Sequence, residues 1–195
     1  MNVRAPVTPA VPVTFTIDDA QRDMRHAYMD GAPGVLTSGT VWLIAGMACI
    51  LRSPAEAVWA LFIGGMLIHP VALVLLKLSG RPAAHARTNP LGTLALMTTI
   101  WMILSLPLAY GVSMLRIEWF FPAMLFVIGG RYLTFATLYG MRIYLLFGAV
   151  LALAGYALGS SGASAAAGAF AGAAIEIGFG ALMLTRALAA PRRGR

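Results

Sequence analysis

The sequence contains very few charged residues. Only 11% of its 195 residues are Asp, Glu, Lys or Arg, whereas 59% are hydrophobic. Soluble domains carry about 25% charged residues, so this chain cannot coat an ordinary water-facing surface. Its apolar residues also fall in runs that are long enough to cross a bilayer. The composition therefore excludes an ordinary soluble domain and predicts an integral membrane protein, whose first partner is the lipid bilayer.

Cysteine and catalytic motifs are also scarce. The single cysteine, Cys49, excludes an intramolecular disulfide and a cysteine-only metal site. The chain contains no HExxH, GxSxG, phosphate-binding loop or dinucleotide-binding fingerprint. Its histidines and glutamates do not show the HxxxH or ExxH spacing of helical metal sites. We therefore predict no catalytic residue, no metal and no cofactor.

Six apolar segments predict an all-α bundle of six membrane-spanning helices. Each holds about 17–24 residues, which is enough to cross the hydrocarbon core at about 1.5 Å per residue. The predicted segments are 35–51, 55–78, 91–113, 118–139, 142–159 and 165–188. They form one membrane domain over residues 31–190, between a cytoplasmic segment at 1–30 and a basic cytoplasmic tail at 191–195.

A short amphipathic helix is predicted before the first membrane segment. Thr16 and Asp19 resemble a capping box, in which two side chains satisfy the free N–H groups of the first helical turn. Residues 17–29 follow as the helix, with Ile17, Met24 and Tyr28 loosely on one side. The favoured interpretation is an interfacial helix that lies on the membrane surface. The alternative is a helix that docks onto a partner.

The basic residues predict the orientation. If both termini are cytoplasmic, eleven of the fourteen Lys and Arg residues flank the membrane segments on the cytoplasmic side. Arg52 and Arg116 are then on the opposite side, and Arg131 is within the membrane. This bias follows the positive-inside rule. We interpret the net charge of +7 as a topology signal and an attraction to anionic lipid headgroups, and we expect no nucleic-acid partner.

Two pairs of similar stretches suggest a repeat of two-helix hairpins. The stretch 40–44 (TVWLI) resembles 99–103 (TIWMI), and 61–65 (LFIGG) resembles 126–130 (FVIGG). A hairpin returns the chain to the side it came from, so the copies would be parallel. Many secondary transporters have inverted repeats instead. Chance similarity between apolar segments is the alternative explanation.

Three ionisable residues lie deep inside apolar segments. His69, Arg131 and Glu176 are on the second, fourth and sixth segments, which all run in the same direction. Each is roughly 17–21 Å along its segment, so the three would meet if these helices line the bundle centre. An arginine at bilayer depth costs about 2.5–3.5 kcal/mol, which predicts a nearby partner. Glu176 is the only acid at that depth and is the expected counter-ion.

This constellation leads to two interpretations of function. In the first, the ligand-binding residues are His69, Arg131, Tyr132, Thr134 and Glu176. Arg131 would then bind an anion or carboxylate, and the protein would bind or transport a small solute or ion. In the second, the Arg131–Glu176 pair only fastens two helices of a non-transporting scaffold or assembly partner. The small residues between 162 and 180 suit close helix contacts and would equally suit a homo-oligomer.

Four stretches carry a resemblance to a known family. Residues 31–34 (GAPG), 89–92 (NPLG), 116–124 and 129–140 resemble small, uncharacterised bacterial integral membrane proteins with a domain of unknown function. The resemblance covers about residues 20–158 and does not extend to the Ala- and Gly-rich sixth segment. It implies a location in the bacterial inner (cytoplasmic) membrane. It implies no activity, so no functional residue is carried over.

Overall fold

This computed structural model describes residues 16–189, which contain seven α-helices. The predicted tails at 1–15 and 191–195 lie outside the described residues. The helices are α1 (Ile17–Tyr28), α2 (Ala32–Leu51), α3 (Pro54–Leu78), α4 (Leu91–Leu115), α5 (Phe120–Tyr139), α6 (Ile143–Ser161) and α7 (Ala165–Ala189). Short 3-10 helices at Met29–Gly31 and Ile117–Trp119 precede α2 and α5.

Six of these helices can span a membrane. The helices from α2 to α7 are long and apolar enough to cross a bilayer, which confirms the predicted all-helical class and helix number. The largest difference from the predicted ends is at α2, which starts at Ala32 rather than 35. The stretch 31–34 is predicted to end the short first helix. The backbone turns at Asp30 and Gly31, whose φ angles are 56° and 83°, and Pro33 then occupies the first turn of α2, where its missing N–H leaves no hydrogen bond unmade.

The inner and outer helices of the bundle differ in their neighbours. On the inside, α2 packs along α7 and α5 packs along α6, and α7 also contacts α5 and α6. On the outside, α3 packs against α2 and α4 packs against α5. The core is built from fully buried side chains, among them Trp42, Phe121, Leu125, Phe147 and Met183. The outer helices leave many large apolar residues exposed, as expected for surfaces that face lipid.

Glycines allow α2 and α7 to lie close together. A β-carbon added to Gly172 would be 2.4 Å from the Trp42 ring, and one added to Gly39 would be 2.8 Å from Ile177. Both distances are below those that real side chains tolerate, so these positions need glycine. The small residues of the sixth predicted segment therefore pack against helices of the same chain.

The short helix α1 docks onto one end of the bundle, which we call the α1 end. The predicted capping box is formed, because the Asp19 backbone N–H donates to the Thr16 hydroxyl and the Asp19 carboxylate accepts from the Thr16 backbone. Ala20, Met24 and Ala27 are buried at 0–1% exposure. The helix is amphipathic as predicted, but protein rather than lipid covers this buried face. Ile17, predicted on the same side as Met24, is instead 55% exposed, because it lies at the start of the helix.

Side chains of α1 bind the last turn of α5. The Gln21 amide donates to the Thr137 carbonyl at 2.8 Å, and the Arg25 guanidinium donates to the Tyr139 carbonyl. The last carbonyls of a helix have no partner within the helix. Gln21 and Arg25 therefore satisfy polar groups at the end of α5 while fixing α1 in place.

The loop between α3 and α4 also holds α1. The Asn89 amide donates to the Ala20 carbonyl at 2.9 Å and to the Asp23 carboxylate at 2.8 Å. The same carboxylate accepts a hydrogen bond of 2.9 Å from the backbone N–H of Ala86. A further contact of 2.8 Å joins the Tyr28 hydroxyl to Nδ1 of His85. These contacts make α1 part of the bundle rather than an appendage.

The hairpin repeat stays a prediction. Its two copies would match α2 with α4 and α3 with α5. In the structure α2 and α5 are inner helices, whereas α3 and α4 are outer helices. The proposed counterparts therefore differ in burial.

Candidate functional site

Arg131 lies about midway along α5, on the side that faces α4. It is eleven residues after Phe120 and eight before Tyr139, the two ends of the helix. One terminal nitrogen donates to the Thr99 hydroxyl at 3.1 Å, and the other contacts the Met102 sulfur at 3.2 Å. The guanidinium carbon is 5.2 Å from the centre of the Phe135 ring, within the range of a cation–π contact.

The guanidinium has few acceptors for its five N–H groups. Its Nε atom is buried and has no hydrogen-bond partner within residues 16–189. A thioether such as that of Met102 accepts only weakly. In the same part of the chain the ion pairs are Arg22 with Asp19 and Arg52 with Glu56, both exposed. The expected ion pair with Glu176 is therefore absent there, and Arg131 keeps its charge without an acidic partner.

A groove between α4 and α5 reaches Arg131. Its volume is ≈ 280 Å³, close to the lower end of the range for small-molecule sites, which is about 300–1,000 Å³. Its lining residues are Met97, Thr98, Trp101, Gly130, Arg131 and Thr134. Trp101 is 64% exposed and Met97 is 55% exposed, so the groove is open on the outer side of the bundle.

The threonine hydroxyls around the groove already donate to the backbone. Thr98 and Thr99 both donate to the Ala95 carbonyl, at 2.9 and 3.0 Å, and Thr134 donates to the Arg131 carbonyl at 2.7 Å. A hydroxyl has one proton to donate, so these groups are left as acceptors. Among the lining side chains, the donors that remain for a bound ligand are the Arg131 guanidinium and the Trp101 indole N–H.

Glu176 occupies a second polar position, inside the bundle. Its side chain is 0% exposed on α7. Oε1 accepts a long hydrogen bond of 3.4 Å from the Tyr132 hydroxyl, whereas Oε2 has no partner within residues 16–189. Ser38 on α2 faces the same carboxyl, and Gly39 lets α2 approach its β-carbon. The carboxyl is thus enclosed by α2, α5 and its own helix.

Tyr132 is held in place by aromatic packing. Its ring stacks on Phe147 with centroids 4.1 Å apart and lies 6.1 Å from the ring of Tyr144. The Tyr144 hydroxyl in turn donates to the Asp30 carbonyl at 2.6 Å, at the α1 end. Because Tyr132 and Arg131 are consecutive residues, α5 separates the inner carboxyl from the outer groove.

The structure groups the predicted site residues into two places. Arg131 and Thr134 line the outer groove, whereas Tyr132 and Glu176 meet inside the bundle. His69 joins neither, because it is exposed on the outer helix α3. The expectation that three ionisable groups meet at one level is therefore wrong for His69. A common depth does not fix the side of the helix on which a residue lies.

The residues that α4 contributes to the groove are not among those that the sequence predicts. Thr99 and Met102 contact the guanidinium, and Thr98 and Trp101 line the groove. The available signal was the adjacent pair of threonines within an otherwise apolar segment. Within residues 16–189, no group of three or more His, Cys, Asp or Glu side chains is placed to hold a metal ion.

Comparisons with known proteins place the chain in a family. No curated protein and no solved structure matches it. The model of a family of unknown function, DUF7010, matches residues 17–186. The match confirms the predicted resemblance to an uncharacterised family and extends it through α7, beyond residue 158. The chain therefore belongs to DUF7010, a family of unknown function.

Proposed function

We propose that this membrane protein binds a small acidic solute in the groove between α4 and α5 and moves it within or across the bilayer. The observation that carries the proposal is the state of Arg131. Its charge is within an apolar helix, it faces a groove, and it has no acidic partner among the described residues. A carboxylate, sulfonate or phosphate would supply the missing charge and acceptor atoms.

The chemistry of arginine favours an anion with two or more oxygens. A guanidinium is planar and stays protonated, and it donates parallel hydrogen bonds to paired oxygens. In a low-dielectric setting such charge-assisted bonds are stronger than in water. Within residues 16–189 the buried Nε of Arg131 has no acceptor, and the two terminal nitrogens contact a hydroxyl and a thioether. An acidic ligand would replace or supplement these weaker partners.

The walls of the groove favour a ligand that also has an apolar part. Met97 and Trp101 form the exposed rim, and neither carries a charge. Gly130 leaves the floor open, since a β-carbon there would meet nothing within 4 Å. An amphiphile could therefore place its acidic group on Arg131 and its apolar chain along the lipid-facing rim.

We propose a bacterial inner membrane location with both termini in the cytoplasm. The distribution of basic residues supports this orientation. Arg52 and Arg116 are at the end of the bundle opposite α1, whereas the α1 end carries Arg22, Arg25, Lys77, Arg81, Arg87, Arg142 and Arg186. Under the positive-inside rule the α1 end faces the cytoplasm, where anionic lipid headgroups would contact these side chains.

A scaffold without a ligand is the second candidate. The observation that favours it is that Arg131 joins α5 to the outer helix α4 through Thr99 and Met102. In that case the guanidinium only fastens α4 to the bundle. A double-mutant cycle with Arg131→Gln and Thr99→Val would then give a large coupling energy for unfolding, without any saturable ligand binding.

Calorimetric titration of the full chain in lipid nanodiscs with decanesulfonate tests the proposal. Decanesulfonate joins an acidic group to an apolar chain, and decyltrimethylammonium is the control of opposite charge. We expect saturable binding of the sulfonate, with heat referenced to empty nanodiscs, and no saturable binding of the cation. At a hundred times Kd, bound ligand would stabilise the fold by about 2.7 kcal/mol.

Two variants connect that binding to the groove. Arg131→Gln removes the charge, and Gly130→Leu places a side chain in the groove while leaving Arg131 intact. Gly65→Leu on α3 is the matched control, because Gly65 also has open space around its β-carbon position. We expect the first two variants to lose decanesulfonate binding and the third to keep it. Equal binding by wild type and Gly130→Leu would overturn the proposal.

A further inference from the structure

Within residues 16–189, the carboxyl of Glu176 has no cationic contact. It is 0% exposed, and in the same part of the chain its two oxygens share one hydrogen bond, which is 3.4 Å long. Ionised carboxylates are stable in apolar surroundings only when paired or well hydrogen-bonded. The arrangement around Glu176 provides neither, so the geometry suits a neutral carboxylic acid.

The groups that face this carboxyl can be named helix by helix. From α5, the Tyr132 hydroxyl donates to it and the Arg131 charge acts on it at longer range. From α2 it faces Ser38, which does not titrate. From α6, Phe147 and Tyr144 pack behind Tyr132 rather than against the carboxyl. Arg131 is thus the charged group whose state bears on Glu176.

We infer that Glu176 is a proton-binding site, and that its proton and the acidic solute bind together on opposite sides of α5. The second half rests on the proposed function of the Arg131 groove. In the empty, proton-free protein, Arg131 and Glu176 carry opposite charges. In the structure, Arg131 contacts Thr99 and Met102 on α4, whereas Glu176 contacts the Tyr132 hydroxyl on the other side of α5.

Charge balance explains why the two events are linked. A solute anion neutralises Arg131 and thereby removes the positive charge that favours ionised Glu176. Uptake of one proton by Glu176 then leaves no net charge in the apolar interior. Release of the anion restores the attraction of Arg131 for an ionised carboxylate and favours loss of the proton. The pair would therefore couple one proton to one monovalent anion.

Infrared spectroscopy of the full chain in lipid nanodiscs tests both halves. The signal is the C=O stretching band of a protonated carboxylic acid, followed over a pH titration. Glu176→Gln removes the acid while keeping its shape, and Glu56→Gln is the matched control at an exposed acid. Decanesulfonate serves as the anion, because a sulfonate stays ionised throughout and adds no titration of its own.

The expected result has two parts. A buried-acid band is present in wild type and in Glu56→Gln and is missing in Glu176→Gln. Saturating decanesulfonate moves its titration midpoint to higher pH, by about one unit for each tenfold preference of the anion for the protonated protein. The titration of Glu176→Gln shows neither the band nor its shift.

The contrary results separate the two proposals. If no band depends on Glu176 at any pH, the proton site is overturned whether or not the anion binds. If decanesulfonate binds but the midpoint does not move, the coupling is overturned and the proposed function stands. If decanesulfonate does not bind, the proposed function and the coupling are overturned, while the band alone decides the proton site.

Discussion

A β-carbon on Gly129 would lie 2.8 Å from the carbonyl oxygen of Gly148. The two glycines bring the middle of α5 into direct backbone contact with the second turn of α6. A methyl group cannot fit at that distance without a shift of backbone, and backbone in a packed bundle moves little. The contact therefore fixes α5, which carries both Arg131 and Tyr132, against α6.

The adjacent glycines on α5 predict opposite effects of the same substitution. Gly129→Ala forces α5 and α6 apart and is expected to lower the free energy of unfolding by about 1–3 kcal/mol. Gly130→Ala meets nothing within 4 Å and should be neutral or stabilising by up to about 1 kcal/mol, because alanine favours the helix. Thermal unfolding in mild detergent distinguishes them. Equal melting temperatures would contradict the close approach at Gly129.

Two substitutions of Tyr132 separate the contribution of its hydroxyl to stability from that of its ring. Tyr132→Phe removes the hydroxyl that donates to Glu176 but keeps the stacking on Phe147, so we expect a loss of about 0.5–1.5 kcal/mol. Tyr132→Ala also leaves a cavity in the core and should cost about 3–5 kcal/mol. The measurement is again thermal unfolding of the purified chain. If the two variants unfold alike, the hydroxyl rather than the ring holds this part of the bundle.

Asn89 is expected to control the docking of α1. Its side chain is buried at 4% exposure and donates to Ala20 and Asp23 on α1. Asn89→Ala leaves those acceptors unsatisfied, at about 1–3 kcal/mol. We expect faster amide hydrogen exchange throughout α1, with the exchange of α5 and α6 unchanged.

Arg22→Ala is the matched control for Asn89→Ala. Arg22 is a residue of α1 itself, and its ion pair with Asp19 is exposed. Exposed ion pairs contribute little to stability. Its α1 exchange should remain close to wild type. Equal acceleration in the two variants would show that α1 is held by general charge rather than by the Asn89 contacts.

Length and hydropathy were sufficient to predict the helices. They did not predict which side of each helix faces the inside of the bundle. Segments that are apolar all round satisfy the bilayer in any rotation, so their sequence carries no clear periodicity for an inner side. Depth can be counted along a helix, and that count placed His69, Arg131 and Glu176 at similar levels. Rotation about the helix axis could not be counted, which is why His69 was grouped with residues that it does not join.

The two glycine pairs also show that the sequence does not tell which side of a helix faces its partner. The sequence pairs 64–65 and 129–130 both indicate close helix contacts. In the structure Gly64 meets Val41 and Gly129 meets Gly148, whereas Gly65 and Gly130 face open space. Two neighbours on a helix point about 100° apart, so at most one can face a given partner. The partner helix, which lies far along the chain, decides which one.

The exposed position of His69 predicts that this residue does not contribute to ligand binding in the groove. His69 is on α3, which packs against α2, whereas the groove lies between α4 and α5. His69→Ala should therefore bind decanesulfonate with an affinity within about twofold of wild type, whereas Arg131→Gln loses binding, because removal of a charged partner costs about 1.5–3 kcal/mol or more. Calorimetric titration in nanodiscs measures both. A tenfold loss of affinity in His69→Ala would instead bring α3 into the binding site and restore the three-residue site that the sequence suggests.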